Sequence, residues 1–200
     1  MVFHPPPIIS SHRVVLPKTE LWVPVVRGLH SRRAEADIND AIRGTVRQLV
    51  VDQGSLDDPR AEMIGYFETK TNHSQVLSIS LFNYAYTGGA HGLTLQRSLT
   101  FDTTTGRSYA LHELFKPGSP YVKVLSEIVA EQIKERKIDT LQPFQSIRPD
   151  QDFYVADRSL VIYFQLYELA PYVYGFPYFP ISVYELEPII NDDGPLAAML

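Results

Sequence analysis

The chain has 200 residues, 44% of them hydrophobic and 20% charged, with a net charge of −5. That length supports one substantial core or two small subdomains packed together, and the composition argues against a disordered chain. The acidic balance and scattered Lys and Arg give no basis for nucleic-acid binding, and the absence of cysteine excludes disulfides, thiolate metal sites and a Cys nucleophile.

The N-terminus, MVFHPPPIISSHRVV, has three consecutive prolines and no basic region leading into an apolar stretch, so it does not read as a signal peptide as written. No segment has the uninterrupted apolar length that spans a bilayer, so no membrane insertion is expected. The expectation is a cytoplasmic chain as the sequence stands, and an extracytoplasmic one if a leader was removed.

Alternation in IISSHRVVLPK and LWVPVVRGL predicts two early strands, each short or at an edge because proline interrupts it. From Ser31 the period becomes helical. Ala34, Ile38, Ala41, Ile42, Thr45 and Leu49 form one stripe, with Ser31 as N-cap, Gly54 as stop, and Arg33, Asp37, Asp40 and Arg47 on the polar face. This is an amphipathic helix laid on a sheet.

Strands are predicted at Met63 to Lys70 and Gln75 to Tyr86, separated by TNHS, and at Leu93 to Asp102. FDTTTGRSYAL reads as a turn in which Asp102 accepts hydrogen bonds and Gly106 takes a positive φ, so 63–109 forms an antiparallel meander. A second helix begins at Pro120 with Ser119 as N-cap, burying Tyr121, Val124, Leu125, Ile128, Val129, Gln132 and Ile133. Beyond a proline-broken segment (138–147), DFYVAD and SLVIYFQLYEL read as strands joined at Asp157-Arg158, followed by a strand from Tyr178 to Leu186. The tail NDDGPLAAML carries little pattern. The order of elements gives an α+β fold with mostly antiparallel sheets and two main helices.

Two stretches stand out chemically. NYAYTGGAHG places three glycines within five residues at the end of a strand. It lacks the Lys-Ser/Thr ending of a phosphate loop and does not open a helix. His91 has no second metal ligand at a useful spacing, and the other histidines, His4, His12, His30, His73 and His112, are dispersed. Two readings stay open: a tight turn in which Gly88, Gly89 and Gly92 adopt conformations closed to other residues and His91 bonds locally, or a loop that lets a partner approach the backbone closely.

The second stretch is YELAPYVYGFPYFPISVY, where Tyr167, Tyr172, Tyr174, Phe176, Tyr178, Phe179 and Tyr184 crowd around Pro171, Gly175, Pro177 and Pro180. Exposed amphipathic rings grip a protein or sugar at little entropic cost; equally, such rings can close one end of a core. Catalytic signals are weak. Glu168 ends an apolar strand, and Asp102, Asp152 and Asp157 are available, but no paired-carboxylate motif forms and Asp102 and Asp157 suit turns. No G-x-S-x-G is present. No cofactor or metal is implied.

NYAYTGGAHG, SLTFDTTTGRSYALHELF and FYVADRSLVIYFQLYELAPYVYGFPYFPI together resemble the paired DUF4163 and DUF3298 domains, over roughly residues 14–187. Those domains form the RsiV-like extracytoplasmic, lysozyme-binding region of an anti-sigma factor, and DUF4163 precedes the catalytic domain of a peptidoglycan deacetylase. The resemblance implies a DUF4163-like N-terminal part (8–97) packed on a DUF3298-like C-terminal part (98–190) that resembles an Hsp70 ATPase subdomain in shape alone, and a tail (191–200). It also implies that Thr87, Gly88, Gly89, Ala90 and His91, with Pro171, Tyr172 and Tyr174, reach a protein partner. Thr87 stands where the lysozyme receptor has serine, keeping the hydroxyl and adding a methyl.

The resulting expectation is a non-catalytic binding module for a protein such as lysozyme or for a cell-wall glycan. Its site comprises Tyr86, Thr87, Gly88, Gly89, Ala90, His91, Glu168, Pro171, Tyr172, Tyr174 and Phe176. The alternatives are an intracellular structural or regulatory domain and a cell-wall sugar hydrolase using Glu168.

Overall fold

A computed structural model describes residues 5–54 and 60–200, so His4 lies outside the described residues. The chain divides into two compact units, 1–108 and 109–200.

In the first unit, strands β1 (Ile8–Leu16), β2 (Thr19–Arg27), β3 (Glu62–His73), β4 (Val76–Tyr86) and β5 (Leu93–Asp102) form one sheet in chain order. All neighbours are antiparallel except β2 and β3, which run parallel across helix α1 (Arg32–Asp52) and pair only over Thr19–Leu21. β1 lies at the sheet edge, as one alternative had it, whereas β2, also nine residues long, is neither short nor at an edge. Pro17 falls in the hairpin turn, and Pro24 lies beyond the reach of the β3 pairing, where no partner strand requires its missing N–H.

Helix α1 forms as its periodicity dictates. Ser31 Oγ accepts from the Ala34 N–H at 3.1 Å, and Ala34, Ile38, Ile42, Leu49 and Val50 are buried. Against Ile38, Ile42 and Leu49 pack Val26 of β2, Leu77, Ile79 and Leu81 of β4, and Phe101 of β5. The helix is also pinned by Asn39, whose side chain accepts from the Val26 N–H at 2.9 Å and donates to its carbonyl at 2.8 Å. On the opposite face of β4 two serines are buried as well, Ser78 pairing with Thr100 and Ser80 with Ser98 at 3.0 and 2.9 Å.

The meander 63–109 forms as expected. The β3–β4 turn falls on Ser74-Gln75, with φ of 51° and 64°, so β3 continues through the predicted TNHS break to His73. Asp102 Oδ1 accepts from the N–H groups of Thr104 and Thr105 at 2.7 and 3.3 Å, and Gly106 takes φ 80°.

In the second unit, helix α2 (Tyr121–Glu135) accompanies a three-stranded antiparallel sheet of β6 (Phe153–Ala156), β7 (Ser159–Tyr163) and β8 (Tyr178–Ser182). The N-cap position of α2 is Pro120 rather than Ser119, and Ser119 Oγ is buried without a hydrogen-bond partner. Of the predicted stripe, Leu125 and Val129 are buried, and Ser126 joins them by accepting from the Ile147 N–H.

Two predicted strands are cut short. β7 stops at Tyr163 because a turn closes at 165–168, where Tyr167 has φ 65°. β8 gives way to a helical turn, α3 (Val183–Leu186). The tail is also more ordered than its pattern suggested: Leu196 and Met199 are buried, and Ile190 bridges to Phe115. The α+β class with mostly antiparallel sheets and two main helices therefore holds.

Candidate functional site

The Gly-Gly-Ala-His loop connects β4 to β5, which pair up to Ala85–Leu93. Gly88 and Gly89 adopt φ of 101° and 110°, a region that L side chains avoid, with open space where a Cβ would point. They are glycines for backbone conformation, as expected. Gly92 is glycine for a different reason: a Cβ there would sit 2.4 Å from the Tyr84 ring. Tyr86 OH donates to the Gly89 carbonyl at 3.0 Å, and His91 Nδ1 donates to its neighbour's carbonyl, Gly92 O, at 2.8 Å. Gly88, Gly89, Ala90 and His91 are exposed, and Thr87 is half-buried at the foot of the loop.

Three residues that sequence reasoning passed over hold this loop. Gln53, the C-cap of α1, accepts from Asn83 Nδ2 at 2.8 Å and donates to the Leu93 carbonyl at 2.7 Å. The helix end thus ties both strands just below the loop. Only the separation of these residues in sequence hid the relationship.

The Ala-Pro-Tyr loop begins with buried Leu169 and Ala170. Pro171 (ψ 155°) then leads into a single 3-10 turn, Tyr172–Tyr174, which Gly175 ends at φ 64°. The turn is anchored at both ends. The Leu169 carbonyl accepts from the Leu141 N–H at 2.9 Å. Tyr174 OH donates to Asp139 Oδ2 at 3.0 Å and accepts from the Asp139 N–H at 3.2 Å. Between the anchors, Val173 projects at 86% exposure, flanked by Tyr172 and Tyr174 at 41% and 37%. The rings of Tyr167 and Tyr172 lie 5.5 Å apart.

The aromatic stretch therefore splits. Phe179 is fully buried, Tyr178 and Phe176 are half-buried, and Tyr167, Tyr172, Tyr174 and Tyr184 face solvent. Phe179 thus serves the core, while four of the rings lie at the surface.

Glu168 is part of a polar brace. Its carboxylate pairs with Arg148, accepts from the Gln165 N–H at 2.7 Å, and accepts from buried Gln151 at 3.3 Å. Gln165 Nε2 in turn donates to Asp152 Oδ2 at 2.8 Å, so these two carboxylates do share one cluster. Burial works against the Arg148 charge, but Glu168, Asp152 and Asp150 more than offset this, holding the guanidinium above its ordinary range. A carboxylate whose oxygens are spent on a guanidinium, a backbone N–H and an amide is placed to fix the turn preceding Leu169. It is poorly placed to give a proton to a leaving group.

Asp102 and Asp157 serve turns, Asp157 at φ 49°. Among the described residues, no group of three or more His, Asp or Glu could hold a metal ion, and no helix is long and apolar enough to cross a membrane.

The fold and these loops define a class of protein: an α+β chain with two antiparallel-rich sheets and exposed, internally braced loops. Residues 112–184 match the family described as a protein of unknown function, DUF3298. Residues 16–94 match the family described as deacetylase PdaC. The DUF4163/DUF3298-type resemblance read from the sequence is borne out by both matches.

The chain is 32% identical over 178 residues to the anti-sigma-V factor RsiV of Bacillus subtilis, covering 81% of this chain and 61% of that protein. It is 25% identical over 103 residues to the peptidoglycan-N-acetylmuramic acid deacetylase PdaC of the same organism, covering 48% of this chain and 22% of that protein. The chain thus spans less than two thirds of either relative. Among crystal structures, a DUF3298 family member from Bacteroides fragilis matches with a TM-score of 0.70 at 13% identity, over 96% of this chain and 95% of that one. A DUF3298 family protein from Pseudomonas aeruginosa matches at 0.65 and 18% identity, over 92% and 93%. These two likenesses bear on the fold alone.

Proposed function

We propose that this chain is a non-catalytic binding module that holds a protein partner, with lysozyme the first to test, through its Gly-Gly-Ala-His loop and its Ala-Pro-Tyr loop. The observation that carries the reading is Val173, an aliphatic side chain presented to solvent at the tip of a turn braced by Asp139 and Leu141. Exposing an apolar tip on a rigid support costs solvation and gains nothing within the chain. A partner that covers it benefits from burial without having to order the loop.

The flanking tyrosines add area and hydroxyls of the kind that dominate protein interfaces. At the other loop, Gly88 and Gly89 leave the backbone bare, which suits insertion into a concave surface. The cell-wall hydrolase alternative is weakened by the engagement of Glu168 in its brace.

Calorimetric titration with a c-type lysozyme tests the proposal. Saturable binding that is lost in Tyr172→Ala and in Val173→Asp supports it. An absence of heat at ~10 μM protein, where ordinary interfaces are detected, assigns these loops to a different partner and overturns the lysozyme reading.

A further inference from the structure

Helix α1 does not cover the whole inner face of its sheet. Beside it, where edge strand β1 continues past the helix, lies an open groove of about 930 Å³, within the ~300–1,000 Å³ common for small-molecule sites. Its floor is the inward face of the β1–β2 hairpin and its wall is one side of α1. The two ends of the groove differ.

The direction follows from contacts along α1. Asn39 is bonded to Val26 at one end, and Val50 packs with Leu21 at the other. The hairpin register sets His12 opposite Val23 and Val14 opposite Leu21. Arg43 therefore lies toward the Val25 end and His12 and Arg47 near the middle, opposite Val23, while Val14, Leu16, Leu21, Val50 and Val51 line the other end.

Among the described residues, no lining residue is a carboxylate, although the chain as a whole is acidic. Arg43 is paired with Asp40, whereas Arg47 has no ion-pair partner among the described residues. His12 and Arg47 are exposed, ready to meet a ligand without first losing a protein partner. Val51, at 61% exposure, presents the apolar end directly to solvent.

We propose that this groove binds a free long-chain carboxylate, with the carboxylate at His12, Arg43 and Arg47 and the alkyl chain along the valines toward Gly54. An aliphatic trough with cations between its middle and one end complements an amphiphile with an anionic head and a single tail. A guanidinium matches the planar carboxylate with paired N–H donors. β1 is the edge strand of its sheet, and the lining residues Leu16 and Val51 are exposed, so the trough opens to solvent. This site lies within the first unit and is independent of the partner proposed for the two loops.

The test is titration of the whole chain with sodium decanoate and dodecanoate below their micellar concentrations. Dodecyltrimethylammonium serves as the charge control, and anionic phosphatidylglycerol vesicles as the membrane control. Saturable one-to-one binding is expected, tightening about fourfold per added methylene. The ammonium probe and Arg47→Glu should each weaken binding at least ~tenfold by placing like charges together.

Val51→Asp, which puts a carboxylate at the tail end of the groove, should weaken dodecanoate more than decanoate. Both substitutions are on exposed helical positions, and a thermal melt confirms that each variant folds. The proposal is overturned if dodecanoate gives no saturable signal, if the ammonium binds as well, if neither variant changes affinity, or if only vesicles bind.

Discussion

The Gln53 side chain joins Asn83 to the backbone of Leu93, receiving a hydrogen bond from the one at 2.8 Å and giving one to the other at 2.7 Å. A single residue at the end of α1 thereby closes the base of the Gly-Gly-Ala-His loop. Asn83 is 2% exposed and its Oδ1 has no partner, so removing Gln53 leaves a buried amide poorer still. Gln53→Ala should cost about 1–2 kcal/mol in denaturant unfolding. It should also speed amide hydrogen exchange in 87–93 without changing exchange in the second unit; uniform exchange rates across both proteins would show that the bridge is not what orders the loop.

Gly92 and Gly88 should respond differently to alanine. A methyl at Gly92 meets the Tyr84 ring and must displace it, at about 1–3 kcal/mol. The cost should largely vanish in a Tyr84→Ala background. At Gly88 the methyl meets nothing, so the cost is conformational, about 1 kcal/mol, and no neighbouring substitution should rescue it. Double-mutant cycles from urea midpoints distinguish the two.

Glu168→Gln should behave as a structural change. The amide still offers one oxygen to the Gln165 N–H but turns an NH₂ toward Arg148 or Gln151. With the side chain 24% exposed, the expected loss is about 1.5–3 kcal/mol, typical of hydrogen bonds to a charged group. Near-complete retention of stability would reopen a chemical role for this carboxylate.

Two phenols should ionise late. Tyr66 stacks on Phe82, with ring centroids 4.7 Å apart and planes 8° from parallel. Burial, helped by Glu68, raises its pKa above the ordinary 10.0. Burial and Asp150 do the same at Tyr121. The folded state favours the neutral phenol, so the stability from these groups is full below pH ~10 and is lost as pH rises through their folded values. An ultraviolet titration should show late-ionising tyrosinate that Tyr66→Phe reduces; an unchanged curve would contradict the assignment.

Asp139→Ala should free Tyr174 at small energetic cost, about 0.5–1.5 kcal/mol for the lost hydrogen bond. The 3-10 turn under Val173 should then exchange its amides faster. If the loop meets a partner as a preorganised tip, affinity should fall although Asp139 need not touch that partner.

Local sequence determined whatever depends on neighbours along the chain. The stripe Ala34, Ile38, Ile42 and Leu49, with Ser31 as cap, specified α1, because helical spacing and an N-cap act within a few residues. β4 and β5 followed from β-branched and aromatic content, and the Asp102 turn from a side chain that bonds two residues onward. The two loops were legible as well, because glycine and proline mark them directly.

Only the tertiary structure decided what depends on distant partners. Proline in LWVPVVRGL led us to expect a short or edge strand, but the strand runs through because β3 pairs with no residue beyond Leu21. SLVIYFQLYEL looked like continuous strand until Glu168 met Gln165, Gln151 and Arg148 and turned the chain. Gln53 lies forty residues from Leu93, and the polar part of the groove assembles from His12 on a strand and Arg47 on a helix. Hydrogen bonds and burial act over a few ångströms in space, whereas periodicity and propensity act over a few residues along the chain. The sequence could therefore mark where the loops are, but the packing alone shows what holds them.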